Sequence, residues 1–115
     1  MLPFFHPSCP MKLAPDDLER VASLFRAFSE PTRLAIIQEM KDGEKSVSEI
    51  VGELTTTQAN VSKQLRLLYE SGVLTRRKEG TNVLYGIGDP IVFELCRLVC
   101  DKLNRDVAKP KRLKF

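Results

Sequence analysis

The stretch SVSEIVGELTTTQANVSKQLRLLYESGVLTRRKEGTNVLYGI, residues 46–87, decides how this chain folds. Ser46 and Glu49 stand three residues apart, which is the capping-box spacing that opens a helix. After Gly72 the apolar spacing changes from helical to that of short strands, and the run Glu79-Gly80-Thr81-Asn82 is typical of a turn. The stretch therefore predicts two short helices followed at once by a basic β-hairpin.

Helical patterns flank this stretch on both sides. Pro15-Asp16-Asp17 opens a first helix, because proline suits the first helical turn and carboxylates suit the positive end of the helix dipole. Ser29-Glu30-Pro31 separates it from a second helix, and Asp89-Pro90 opens a fifth that runs to about Arg105. The chain is predicted to be mainly α with a small hairpin. Its parts are an extended arm over residues 1–14, a folded domain over 15–105 and a basic, frayed tail over 106–115.

The composition indicates one soluble domain. The chain has 115 residues, 43% hydrophobic and 29% charged, with a net charge of +3. No apolar run approaches the roughly 20 residues that a membrane-spanning helix needs. The apolar start of the chain is short and broken by prolines, so we do not interpret it as a signal peptide. Three cysteines, an odd number, argue against a secreted disulfide framework, and we expect a cytoplasmic protein.

The predicted fourth helix, from Gln58 to about Ser71, combines an apolar inner stripe with a polar outer face. Gln and Asn pair with adenine through two hydrogen bonds, whereas Lys and Arg contact phosphates. The hairpin adds further cations beside this helix. We therefore predict binding to duplex DNA through Ser46, Gln58, Ala59, Asn60, Ser62, Lys63, Gln64, Arg66, Arg76, Arg77 and Lys78.

In these residues the chain resembles the ArsR-type winged helix-turn-helix repressors. The matching segments are Phe28–Leu34, Ser46–Ile50 and Gln58–Leu65, followed by Gly72, the hairpin and the closing helix. The resemblance covers roughly residues 15–105. It implies a homodimer through the first and last helices, binding to an inverted repeat, and release when an inducer binds. Many members carry His where this chain has Gln64, which puts in doubt any role of that His in relaying a signal.

Two family metal sites are missing from this sequence. The segment Ser48–Leu54 lacks the Cys-x-Cys motif of one common site. The last helix lacks the histidines of another, since the only His of the chain is His6. A sensor, if present, must therefore use other residues.

The three cysteines are the remaining candidates. Cys96 and Cys100 are four residues apart, about 40° around a helix and one turn along it, so both sulfurs can reach one ion. Cys9 on the arm would complete a trigonal sulfur site suited to arsenite, antimonite or another thiophilic ion.

Two alternatives stay open for the cysteines. Cys9 could instead form a disulfide or polysulfide with either helix cysteine, giving a thiol-redox or persulfide sensor. Alternatively, Cys96 is a small core residue. Outside this function class, the chain could be a winged-helix protein-interaction module without DNA binding. Nothing in the sequence indicates an enzyme, because no glycine-rich phosphate loop or carboxylate–histidine cluster is present.

Overall fold

The computed structural model describes residues 12–106 and 112–115, and within them it confirms a mainly α fold with a β-hairpin. The predicted arm and tail lie largely outside these residues, so the domain bounds stay predictions. No helix of the described part is long and apolar enough to cross a membrane. The elements are α1 Pro15–Ala27, α2 Pro31–Glu39, a 3₁₀ turn Met40–Asp42, β1 Lys45–Ser46, α3 Val47–Glu53, α4 Gln58–Glu70, β2 Leu74–Glu79, β3 Asn82–Ile87 and α5 Ile91–Asn104.

The hairpin belongs to a small antiparallel sheet of order β1-β3-β2. In its register Arg76 lies opposite Tyr85, and Lys45 pairs with Tyr85 from the other side. Strand β1 was not predicted, because it has only two polar residues and its structure comes from pairing with β3 rather than from a local pattern. The sheet thereby joins the start of α3 to the hairpin.

The core lies between α2, α3, α4 and the inner face of the sheet. Val61, Leu65 and Leu68 of α4 are completely buried, as the inner stripe predicted. They pack in one cluster with Ile36, Ile37 and Ile50, which are also completely buried. Burying a branched aliphatic side chain contributes about 1.5–3 kcal/mol, so this cluster holds α4 in one rotational setting on the domain.

Side-chain caps determine where α3 and α4 begin. The Ser46 hydroxyl accepts from the Glu49 amide at 3.3 Å, and the Ser46 amide donates to the Glu49 carboxylate at 2.9 Å. This confirms the predicted capping box, and the hydrogen bond from the Ser46 backbone holds the pKa of Glu49 below its ordinary value. Thr57 caps α4 in the same way, accepting from the Asn60 amide at 3.1 Å. The Ser46 hydroxyl is engaged as the cap of α3, and the predicted contact of Ser46 with DNA stays a prediction.

A glycine ends α4 and starts the hairpin. Gly72 has φ +83°, and the amides of Gly72 and Val73 donate to the carbonyls of Tyr69 and Leu68 at 3.1 and 3.0 Å. This is the Schellman arrangement, which requires a left-handed residue just after the helix. The turn sets the direction in which β2 leaves α4.

The apolar sides of α1 and α5 are largely bare. Val92, Leu95, Val99 and Leu103 of α5 have the spacing of one apolar stripe, but Val99 is 54% exposed and Leu103 41% exposed. The stripe is therefore split, with Val92 and Cys96 turned inward. The bare apolar face, as we call it below, consists of Leu18, Val21, Leu24, Phe25, Ile91, Leu98, Val99 and Leu103.

Two exposed glycines, Gly72 and Gly52, provide a matched test of the glycine turn that ends α4. A Cβ would meet nothing within 4 Å at either Gly72 or Gly52, so only the backbone conformation differs. We expect Gly72→Ala to lower the free energy of unfolding by about 1–2 kcal/mol, because a positive φ is strained for alanine. Gly52→Ala, inside α3, should raise it by about 0.5–1 kcal/mol. Urea unfolding followed by circular dichroism measures both, and changes of the same sign would contradict this account.

Candidate nucleic-acid interface and thiol site

One side of α4 is exposed and polar. Its outer face, as we use the term, consists of Gln58, Ala59, Ser62, Lys63 and Arg66, and all five are exposed. These residues are spaced by three or four positions and so form one continuous strip. None of their side chains hydrogen-bonds to another described residue. The first two turns of α4 therefore offer amide, hydroxyl and cationic groups to a ligand.

Two of the predicted DNA contacts, Asn60 and Gln64, are engaged inside the protein. Gln64 is 5% exposed, and its Oε1 accepts from Arg33 Nη1 at 2.7 Å. Its Nε2 donates to Asn60 Oδ1 at 3.1 Å. The Asn60 Nδ2 donates to Thr56 Oγ1 at 3.0 Å. Gln64 therefore faces the interior, which corrects the prediction that it contacts DNA, whereas Asn60 is half-buried and each of its amide groups already has one partner within the protein.

Sequence reasoning missed Arg33, the partner that draws Gln64 inward. Arg33 lies in the first turn of α2, and 31 positions separate it from Gln64. The available signal was the position of Gln64 between the buried residues Val61, Leu65 and Leu68, on the edge of the inner stripe. A polar residue at such an edge needs an internal partner.

The three cations of the hairpin differ in what surrounds them. The Arg76 guanidinium lies 4.1 Å from the centre of the Tyr69 ring, a stacked cation–π contact that holds it against α4. Arg77 is bound by Glu44, with Nε–Oε1 2.9 Å and Nη2–Oε1 2.8 Å, and by Glu79 at 2.9 Å.

Because Arg77 is paired with Glu44 and Glu79, its guanidinium is less available to a polyanion such as DNA. The hydrogen bond from Arg77 holds the pKa of the Glu44 carboxyl below its ordinary value, so two carboxylates neutralise this cation. Lys78 is exposed and forms no ion pair with a described residue. Arg76 and Lys78 alternate onto the same side of β2, where with Tyr69 and Tyr85 they line a concavity of about 390 Å³. The hairpin therefore presents Arg76 and Lys78 more freely than Arg77.

Two free cysteines lie in an apolar cavity beside α5. Cys96 is 6% exposed and Cys100 is half-buried. The cavity has a volume of about 290 Å³, and we call it the thiol cavity. Burial raises the pKa of the Cys96 thiol, and the neighbouring Cys100 adds to this effect. Its lining residues are Phe25, Phe28, Leu34, Leu95, Cys96, Val99, Cys100, Leu103, Leu113 and Phe115.

Within the described residues these two thiols have no third metal-ligating neighbour. No group of three or more His, Cys, Asp or Glu side chains in that part of the chain is placed to hold a metal ion. Cys9, the predicted third ligand, lies outside the described residues. The structure thus brings Cys96 and Cys100 together on one helix, and the three-cysteine site stays a prediction.

Residues 112–115 lie against the thiol cavity. The Leu113 amide donates to Asn104 Oδ1 at 2.5 Å, and Asn104 Nδ2 donates to the Leu113 carbonyl at 2.6 Å. Leu113 and Phe115 form part of the cavity wall, and the Phe115 ring lies 5.7 Å from Lys41 Nζ. The prediction of a frayed tail is therefore wrong for these four residues. The missed signal was the pair of apolar residues two positions apart at the end of a basic segment.

Comparison with known proteins identifies the family. Residues 30–76 match the sequence profile described as "Bacterial regulatory protein, arsR family". The chain is 39% identical over 82 residues to an uncharacterized HTH-type transcriptional regulator of Methanocaldococcus jannaschii, covering 70% of this chain and 92% of that protein. It is 35% identical over 80 residues to a probable mercury resistance operon repressor of Streptomyces lividans, covering 70% of this chain and 64% of that protein.

A solved structure extends the likeness to nearly the whole fold. The chain superposes with a TM-score of 0.69 and 25% identity on a homodimeric winged helix-turn-helix DNA-binding domain from Mycobacterium bovis, covering 83% of this chain and 93% of that domain. The profile match begins just before α2 and ends in β2, so it contains both capped helices and the glycine turn. This chain belongs to the ArsR family of winged helix-turn-helix transcriptional regulators.

Proposed function

We propose that the protein is a homodimeric transcriptional repressor that binds operator DNA and is released when an inducer binds its cysteine thiolates. The observation that carries the DNA-binding part is the outer face of α4, which is exposed while the opposite stripe is completely buried. A helix held this way can enter a major groove without disturbing the core. Membership of a family of bacterial regulatory proteins also supports DNA binding.

The contacts divide by chemistry. Gln58, in the first turn of α4, can make two hydrogen bonds to an adenine edge, and Ser62 can serve a base or a phosphate. Lys63 and Arg66 supply cations for the DNA backbone, and Lys78 extends this charge to the hairpin. Sequence preference would then come from Gln58 and Ser62, and most of the salt-dependent affinity from the cations.

The bare apolar face supports the homodimer. Phe25 on α1 is 59% exposed, and Ile91 and Leu98 on α5 are 64% and 54% exposed. Exposed apolar patches of this kind mark interaction surfaces. The M. bovis domain of the same fold is a homodimer. Two copies related by a twofold axis would present two α4 helices to the half-sites of an inverted repeat.

For the inducer we propose arsenite, antimonite or another thiophilic ion bound by Cys96, Cys100 and Cys9. Arsenous acid reacts with three thiols to form three As–S bonds with loss of three waters, so arsenic keeps its oxidation state and no oxidant is needed. The thiol cavity shares Phe25 and Val99 with the bare apolar face, so an ion bound there would act directly on the dimer contact. One relative is named a probable mercury resistance operon repressor, which supports a soft-metal inducer in general.

Substitutions on α4 should separate base reading from phosphate contact. Duplexes are first selected from a random pool by the wild-type protein, and affinities are then measured by fluorescence anisotropy at several salt concentrations. We expect Gln58→Ala to relax the preference at one base pair per half-site, at a cost of about 1–3 kcal/mol. Lys63→Ala should weaken binding to all duplexes equally. It should also reduce the slope of log affinity against log salt concentration by about one. If no duplex is selected, the protein-interaction alternative replaces the proposal.

The hairpin provides a matched pair of cations. We expect Lys78→Ala to weaken binding to the selected duplex several-fold at low salt, because an exposed, unpaired cation is lost. Arg77→Ala removes the same formal charge, but Glu44 and Glu79 occupy its guanidinium, so no direct phosphate contact is lost and its effect should be smaller. The same anisotropy assay compares the two variants. A larger loss for Arg77→Ala would contradict this assignment.

The cysteines are tested by arsenite titration of the reduced dimer, followed by sulfur-to-arsenic absorption and by DNA release. We expect absorption and release in the wild type, and loss of both in Cys9→Ser, Cys96→Ser and Cys100→Ser. The affinity for arsenite should change little between pH 6 and 8, because three thiols and arsenous acid release three waters and no proton, and burial raises the pKa of Cys96 so that the free thiol keeps its proton over this range. Release by a persulfide donor or diamide, but not by arsenite or cadmium, would establish the redox alternative instead.

A further inference from the structure

A chain of side-chain hydrogen bonds links the end of α1 to the start of α4. Arg33 Nε donates to the Ala27 carbonyl at 2.8 Å, and Arg33 Nη2 donates to the Arg26 carbonyl at 3.0 Å. These are carbonyls of the last turn of α1, and the Arg26 carbonyl also accepts from the amide and the hydroxyl of Ser29 at 3.1 and 2.8 Å. The same guanidinium donates through Nη1 to Gln64. One cation therefore contacts both α1 and α4.

Arg33 determines which group donates and which accepts in every hydrogen bond of this side-chain series. A guanidinium can only donate, so the Gln64 carbonyl oxygen must face it. The Gln64 amide nitrogen then faces Asn60 and requires an acceptor there, which is Asn60 Oδ1. The Asn60 amide nitrogen is left to donate to Thr56. Arg33 thus sets the orientation of two amides on α4, one of them in its first turn.

This arrangement gives both amide groups at two positions of the helix a partner within the protein. Pairing with adenine in two hydrogen bonds requires both the carbonyl and the amino group of an Asn or Gln. Asn60 and Gln64 use both groups within the chain. Gln58, which lies in the same first turn as Asn60, uses neither with another described residue.

We propose that Arg33, Gln64 and Asn60 are positioning residues, which hold the reading end of α4 at a set place relative to the last turn of α1, while Gln58 and Ser62 read bases. The inference rests on the proposed function as a DNA-binding dimer. Because α1 carries part of the bare apolar face, the hydrogen-bonded chain ties the reading helix to the dimer contact through directional bonds rather than through packing alone. A shift of α1 would be transmitted first to Arg33.

Two substitutions of Gln64 distinguish directional bonding from packing. Leucine keeps a side chain of similar size but removes the acceptor for Arg33 and the donor for Asn60. Neutral histidine keeps one acceptor nitrogen and one N–H donor, so it can serve both neighbours. If the bonds matter, Gln64→His should behave like the wild type and Gln64→Leu should not.

The test measures affinity for the duplex selected by the wild-type protein and for its complete set of single base-pair changes, at pH 7.5. Thermal unfolding of every variant identifies a temperature at which all are folded. We expect Gln64→Leu to bind the selected duplex roughly 10-fold more weakly, because two half-buried polar groups, on Arg33 and Asn60, lose a partner. The loss should be similar across the set, without relaxation at one base pair, whereas Gln58→Ala relaxes one. Gln64→His should lie within about threefold of the wild type on the same scale.

A double-mutant cycle supplies the second measurement. Arg33→Met should weaken binding to a similar degree, and Arg33→Met with Gln64→Leu should lose much less than the product of the two single losses, because both remove the same bond. Equal binding by the wild type and Gln64→Leu, equal losses for the histidine and leucine variants, or independent losses in the cycle would each overturn the inference. A wild type that selects no duplex overturns the proposed function and, with it, this inference.

Discussion

Burial of one stripe of α4 is the interaction on which the rest of this structure depends. Val61, Leu65 and Leu68 are completely buried against α2 and α3. Because a helix has only one opposite side, this burial alone determines that Gln58, Lys63 and their neighbours face outward. The caps at Ser46 and Thr57 then determine which residues occupy the first turns of α3 and α4, and the glycine turn after α4 places the hairpin beside the same surface.

The polar residues at the edge of that stripe have a different task from those outside it. Apolar packing leaves a helix some freedom to slide and tilt, whereas hydrogen bonds of defined direction do not. Arg33 connects this edge to the last carbonyls of α1, and α1 shares an exposed apolar surface with α5. The thiol cavity shares Phe25, Val99 and Leu103 with that surface, so the proposed inducer site would adjoin the proposed dimer contact.

Local patterns were sufficient for most of the fold. The spacing of Ser46 and Glu49 and the glycine at position 72 each predicted a helix boundary correctly, because caps and positive φ act within a few residues. Strand β1 was missed since its pairing partner lies about 40 positions away along the chain. The docking of residues 112–115 was missed although Asn104 lies only nine positions before Leu113, because that anchor belongs to another element, α5.

What the sequence determined by itself is the order of elements, the inner stripe of α4 and the residues from which an interface could be chosen, since periodicity and capping depend only on neighbours along the chain. Which polar residues are available for DNA was decided by the tertiary structure. Gln64 looks like an outward contact until Arg33 is placed beside it, and Arg77 looks like a free cation until Glu44 and Glu79 bind it. The contacts of Arg33 with Gln64 and of Glu44 with Arg77 join residues more than 30 positions apart in sequence, so availability is a property of the folded protein.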